Sequence, residues 1–250
     1  MSIAENIARV RDRIANTARR AGRDPREVSL MAVCKTMPAD RIREAYEASQ
    51  RLFGENRVQE FQSKHATLSA GSPTEASAAV CDVFDIAKAE FHLIGHLQSN
   101  KAAKAVALFQ AVDSVDSLKL AERLNAAAAQ IKRRLPILIE INIGGEEAKT
   151  GLAPDAAELR ALLQAAPRLA NLEFRGLMTV PPFTEDPEGA RPFFRRLRKL
   201  REELAALRMP QVGLQELSMG MSHDFEAAIE EGSTCVRVGT AIFGERVHRP

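Results

Sequence analysis

The sequence predicts an α/β protein: a single (β/α)8 TIM barrel with one extra helix ahead of its first strand. Three observations predict it. Eight short apolar runs alternate with seven helical patterns, and strands that alternate with helices build parallel sheets. Several runs, such as 136–143, are apolar nearly throughout, as a sheet covered on both faces requires. The length, 250 residues, suits a barrel of this kind in one domain, and no internal boundary or repeat is visible. One domain is therefore expected over 1–250.

The leading helix is the best marked element. Ser2 and Glu5 have capping-box spacing, and Ile3, Ile7, Val10 and Ile14 recur at helical intervals. Arg19 and Arg20 suit its last turn and Gly22 its C-terminus. Strands are expected near 28–35, 51–56, 91–96, 109–115, 136–143, 172–180, 215–221 and 234–243, the second and fourth being the least patterned. Helices are expected near 38–49, 57–68, 98–107, 117–133, 155–166, 187–208 and 223–231. The segment 68–79 is small, polar and unpatterned, and a mobile surface loop is expected there. The basic run from Arg195 to Arg201 keeps its leucines at helical spacing and is expected to be a solvated helix face.

Hydrophobic residues are 45% and charged residues 27%, ordinary for a globular protein. A net charge of +2 gives no long-range pull towards nucleic acid or membrane. No run is long and apolar enough to span a bilayer, and none at the N-terminus is of signal-peptide type. The three cysteines, Cys34, Cys81 and Cys235, are odd in number and far apart, with no Cys-x-x-Cys. That argues against a disulfide framework or a zinc site and for a reducing compartment, so a cytoplasmic location is expected.

In a barrel the chemistry gathers where the strands end. The first strand runs apolar from Val28 to Cys34 and ends in Lys35, before a Thr36-Met37-Pro38 turn. A cation at the end of a buried strand has two readings. Its ammonium snorkels to solvent, or its amine holds a carbonyl compound as a Schiff base, which partial desolvation favours by raising the neutral fraction. The seventh strand ends in Ser218-Met219-Gly220-Met221-Ser222 and the eighth in Val236-Arg237-Val238-Gly239-Thr240. Loops after strands seven and eight are where barrels bind phosphate, with glycines admitting the anion close to the backbone. A Schiff-base lysine and a phosphate cradle at one mouth fit pyridoxal 5′-phosphate. Tight-turn geometry alone also accounts for the glycines, and N-capping alone for Ser222. Arg237 is expected to face the mouth or the interior, donating to a pyridine nitrogen or pairing with Glu140 or Glu216. Cys34 is expected to be a packed thiol on the opposite strand face. Asp113 to Ser117 look like a strand end and helix cap. His92 and His96 have no ligand cluster nearby in sequence, so no metal is expected.

At these residues the chain resembles the pyridoxal-phosphate homeostasis protein family (YggS/PROSC-like). The segments that carry the resemblance are Ala32 to Thr36, Phe53 to Asn56, Phe91 to Lys101, Leu217 to Ser222 and Gly232 to Gly244. They cover nearly the whole chain in order, and the family's fold is similar to the alanine racemase barrel domain. The resemblance implies pyridoxal phosphate held covalently on Lys35. It also implies phosphate-site positions at Ser218, Gly239 and Thr240, Arg237 towards the pyridine nitrogen, and Asn56 near the cofactor. Cys34 departs from the family's frequent serine, and 68–79 has no match.

The resemblance further implies a carrier or buffer for the cofactor, without established turnover and with no catalytic residues. The residues agree. Two-base racemases of this barrel type add a tyrosine from a second domain, and the one tyrosine here, Tyr46, lies on the helix after the first strand. An arginine at the pyridine nitrogen weakens the ring as an electron sink. A racemase-like enzyme using His92 or His96 and a Schiff-base aldolase are the alternatives. Expected partners are the cofactor and, through it, apoenzymes that need it, with the chain a monomer and neither nucleic acid nor membrane involved.

Overall fold

The structure is a computed structural model and describes residues 1–70, 85–146 and 149–245. The strands are β1 (Ser29–Val33), β2 (Leu52–Glu55), β3 (Glu90–Leu93), β4 (Ala111–Val115), β5 (Leu135–Glu140), β6 (Leu172–Met178), β7 (Val212–Met221) and β8 (Cys235–Val238). Each pairs in parallel with the next, and β8 returns to β1 with Ala32 opposite Val238, so the sheet closes. The second and fourth strands form despite their weak patterns. Around the barrel run α1 (Ile3–Arg20), α2 (Ala39–Glu47), α3 (Val58–Ala70), α4 (Ala102–Leu108), α5 (Leu118–Gln130), α6 (Ala157–Gln164), α7 (Arg191–Ala206), α8 (Phe225–Glu230) and α9 (Thr240–Phe243).

Helix α1 begins as its sequence predicts. Ser2 Oγ accepts the Glu5 N–H, and Glu5 returns a carboxylate to the Ser2 N–H. Its buried stripe of Ile3, Ile7, Val10 and Ile14 packs on α2, α8 and α9. Between barrel and helices, Phe53 stacks on Phe91, while Phe61 of α3 lies 4.5 Å from Phe91 and 4.7 Å from Phe109, centroid to centroid. Each buried phenylalanine contributes about 1.5–3 kcal/mol. Phe61 therefore seats α3 firmly on β3.

Three expectations are corrected. The eighth strand stops at Val238, not 243, because Gly239 takes helical-side angles (φ −113°, ψ −73°) and its carbonyl accepts the N–H groups of Ile242 and Phe243. A short apolar run does not distinguish strand from buried helix, and here Ile242 and Phe243 are buried on a helix. The helix expected near His223 starts at Phe225. Of the 68–79 loop, residues 68–70 continue α3 with Leu68 buried, and 71–79 lie outside the described residues. The basic run keeps a solvated face as expected, with Arg195, Arg196 and Lys199 exposed, and it also finds partners. Arg195 and Arg198, with Arg191, converge on the buried Glu231 beyond α8, and Arg196 donates to the Ile143 carbonyl. No helix among the described residues is long and apolar enough to cross a membrane.

Candidate functional site

The carboxyl ends of β1, β2, β7 and β8 build one face of the mouth. Lys35 lies two residues beyond β1, in a turn rather than on the strand, and is half-buried. The Met37 N–H donates to the Cys34 carbonyl and closes that turn at 3.0 Å. Thr36 carries φ +64°. For a β-branched residue this backbone is an outlier, costing on the order of 1–3 kcal/mol, and it persists only where surrounding contacts hold it. Those contacts come from β2 and α3. The Thr36 N–H donates to Glu60 Oε1, and the Lys64 ammonium donates to the Cys34 carbonyl at 2.8 Å. Cys34 itself is buried, its thiol donating to Glu55 Oε1 at 3.3 Å. Burial, and then the neighbouring Glu55, push that thiol well up.

Asn56 follows β2 and is half-buried at the mouth. The loop after β3 lies directly against it. A Cβ on Gly95 would come within 2.4 Å of the Asn56 carbonyl oxygen, so only glycine fits there. His96 follows and is exposed, its Nδ1 3.1 Å from Asp116 Oδ2. At the end of β5, Glu140 Oε1 accepts the Thr150 hydroxyl while its buried Oε2 has no partner among the described residues. Burial pushes this carboxyl up, against the Thr150 hydrogen bond.

Strands β7 and β8 supply the other part. Gly220 has φ +94°, and a Cβ on it would come within 2.6 Å of Ala228. The bend sends the chain to Ser222, whose Oγ accepts the N–H groups of Gly239 (3.2 Å) and Ala241 (3.4 Å). Thr240 between them is exposed. Gly239 lies against the end of β1, with Val33 O 3.3 Å from where its Cβ would be. The cradle and the Lys35 turn are thus neighbours. One layer deeper, the buried Arg237 donates to the Thr179 carbonyl and to both the carbonyl and hydroxyl of Ser218, each at 2.7 Å. It forms no ion pair with Glu140 or Glu216. Burial pulls its guanidinium below the ordinary arginine value.

Lys35, Asn56, Gly239 and Thr240 therefore share the mouth, with Ser218 and Arg237 beneath it. Ser218 spends its hydroxyl on Arg237, and the serine on the cradle is Ser222, which does not cap α8. Its position one residue beyond β7 was the available signal. His92 does not reach the mouth. Its Nδ1 lies 3.1 Å from Asp113 and its Nε2 2.9 Å from Glu90, beside a cavity of about 290 Å3 at the amino end of the barrel. Burial opposes the charged imidazole, but Asp113 and Glu90 outweigh it, raising His92 to about 10. Asp113 is thus a barrel-interior residue, and Ser117 is the cap of α5. Tyr46 is buried on α2 with the Arg51 guanidinium 3.7 Å above its ring, just before β2 begins and away from the mouth. The described residues contain no group of three or more His, Cys, Asp or Glu placed to hold a metal ion.

The family model for the alanine racemase N-terminal domain matches residues 5–247, so this parallel barrel belongs to that class. Within that class the chain belongs to the pyridoxal phosphate homeostasis protein family. It is 42% identical over 246 residues to the pyridoxal phosphate homeostasis protein of Aquifex aeolicus, covering 98% of this chain and 99% of that one. It is 44% identical to that of Pseudomonas aeruginosa, covering 98% and 96%. Among solved structures it is similar to PipY of Synechococcus elongatus with pyridoxal phosphate bound, at TM-score 0.79, 39% identity and coverage of 97% and 100%. An alanine racemase from Clostridium difficile shares the fold at TM-score 0.65 and 14% identity, with 98% of this chain matched to 57% of that one.

Proposed function

We propose that this chain binds pyridoxal 5′-phosphate covalently through Lys35 and acts in intracellular homeostasis of the cofactor, as a carrier or buffer rather than an enzyme. The observation that carries this is the adjacency of the Lys35 turn and the cradle of Ser222, Gly239 and Ala241 across the β1–β8 seam. Two backbone amides already converge there on one oxygen, as an anion's oxygens require. When bound, pyridoxal phosphate supplies an aldehyde that condenses with a lysine amine and a phosphate that anchors the ring.

The chain's own residues divide the work. Lys35 supplies the amine. Ser222, Gly239 and Thr240 hold the phosphate, with Ser218 supporting Arg237 from below. Asn56 lines the wall beside Lys35, at the end of the neighbouring strand β2. Arg237, an arginine that keeps its charge at neutral pH, faces the pyridine nitrogen and keeps it unprotonated, which disfavours carbanion chemistry. Apoenzymes that need the cofactor are the proposed recipients, and the chain acts as a cytoplasmic monomer.

Absorbance of the purified protein tests the proposal. A band at about 420 nm, general to pyridoxal imines, is expected in the wild type and lost in Lys35→Ala with the fold intact. A Lys35→Ala protein that keeps the band, with borohydride fixing the cofactor on another lysine, refutes it.

A further inference from the structure

Three charged side chains hold the turn that carries Lys35, and none belongs to that turn. Glu55 ends β2, and Glu60 and Lys64 lie one helical turn apart on α3. The Lys64 ammonium donates to Cys34 O at 2.8 Å, and its nitrogen lies 2.7 Å from Glu55 Oε1 and 2.6 Å from Glu60 Oε1. An ammonium has three donors, so all are committed. Glu60 Oε1 also accepts the Thr36 N–H. The carbonyl before Lys35 and the N–H after it are therefore both tied to α3, which Phe61 seats on the barrel.

The network costs too much to be mere fastening. Glu55 is fully buried and its Oε2 has no partner among the described residues. A buried ion network of this kind is typically no more stabilising than apolar packing of the same volume. It also holds Thr36 at its unfavourable φ, which a freely chosen turn would abandon. We propose that Glu55, Glu60 and Lys64 are positioning residues for Lys35. They fix the main chain on both sides of it and so set where its amine stands at the barrel mouth. This deepens the function proposed above and rests on Lys35 being the lysine that takes the cofactor.

The test uses apo-protein of the wild type, Glu60→Ala, Glu60→Gln and Lys64→Met. Two quantities are read: the rate at which the imine band appears on adding pyridoxal phosphate, and the affinity for pyridoxine 5′-phosphate, which has the ring and phosphate but no aldehyde. Misplacing a reacting group by about 1 Å costs up to roughly a hundred-fold, so Glu60→Ala and Lys64→Met are expected to slow attachment by about ten-fold or more. Their affinity for the analogue is expected to be unchanged. Glu60→Gln keeps an acceptor oxygen for Thr36 and is expected to recover most of the rate. Unchanged rates overturn the proposal. So does a parallel loss of rate and analogue affinity, which marks general loosening of the mouth. If Lys64→Met does not fold, the two Glu60 variants decide alone. Borohydride labelling of a lysine other than Lys35 in the wild type sinks the Lys35 assignment itself, an outcome separate from the others.

Discussion

His92 and Ser222 show how much a single side chain depends on which end of the barrel it faces. At the amino end, His92 is stabilised as a cation between Asp113 and Glu90. Its folded value of about 10 stands above the ordinary 6.5, so its contribution is complete below pH 6.5 and disappears as pH rises towards 10. Glu55 acts in the same direction over a lower window. Burial, partly offset by Lys64, raises it from 4.5 to about 7, so stability falls as pH rises through that interval. Between pH 7 and 9 the His92 slope dominates. The wild type is expected to lose about 1–3 kcal/mol over that range, a fall of several degrees in melting temperature. His92→Gln is expected to start less stable and to show a flatter profile. Equal slopes in the two proteins would mean that the imidazole is not charged in the fold. At the carboxyl end, if the proposed cradle holds the phosphate, Ser222→Ala and Thr240→Ala each remove a hydrogen bond to a charged group, about 1.5–3 kcal/mol. Equilibrium titration should show pyridoxal phosphate held at least about ten-fold more weakly in each variant, with pyridoxal little affected. Equal losses for both ligands would place the phosphate elsewhere.

At the scale of elements, α7 and α8 are joined by charge. Glu231 is buried just beyond α8 and meets Arg195 at 2.7 Å, Arg198 at 3.3 Å and Arg191 at 3.5 Å. Its partners hold the carboxyl below its ordinary value although burial opposes this. Removing that charge leaves three arginines facing one another. Glu231→Gln is expected to cost about 1–2 kcal/mol, since the arginines are partly solvated, and the loss should shrink in high salt. Denaturant titration at two ionic strengths checks both parts. A salt-independent loss would assign the effect to packing. The eight strands and the helices around them were legible because β-covered-by-α leaves a strong apolar signature, clearest in the run that became β5. The end of β8 was not, because Ala241-Ile242-Phe243 is apolar in either conformation. Lys35, Asn56 and Gly239 were legible as strand-end residues, a matter of order along the chain. The Glu55–Glu60–Lys64 network was not, since it arises only when α3 folds back over the turn after β1. Nor was the height of His92, which faces the interior beside Asp113 but at the amino end, a depth set by barrel register.

At the scale of the whole molecule, the separation of its two ends bears on whether it turns over. Racemisation needs an acid–base group on each face of the bound carbon. Lys35 furnishes one face of the mouth. Tyr46, the chain's one tyrosine, is buried towards the other end, and His92 is held there by two carboxylates. That leaves two exposed histidines among the described residues that follow strands into the mouth: His96, oriented by Asp116, and His223, two residues beyond β7 with its Nε2 2.9 Å from the Glu185 carbonyl. An exposed imidazole on a loop is poorly placed to reprotonate one face selectively, since water competes for the same carbon and the ring is fixed by one contact. The holoprotein incubated with alanine in D2O is therefore expected to give neither racemisation nor α-deuteration above free pyridoxal phosphate, as read by proton NMR and chiral chromatography. Mixed with an apoenzyme that requires the cofactor, it is expected to restore that enzyme's activity while its own absorbance band declines. The His96→Ala variant sharpens the outcome. If deuterium enters alanine with the wild type and not with this variant, the mouth holds a working second base and the chain is an enzyme; if transfer proceeds unchanged in both, His96 is a bystander and the barrel is a carrier.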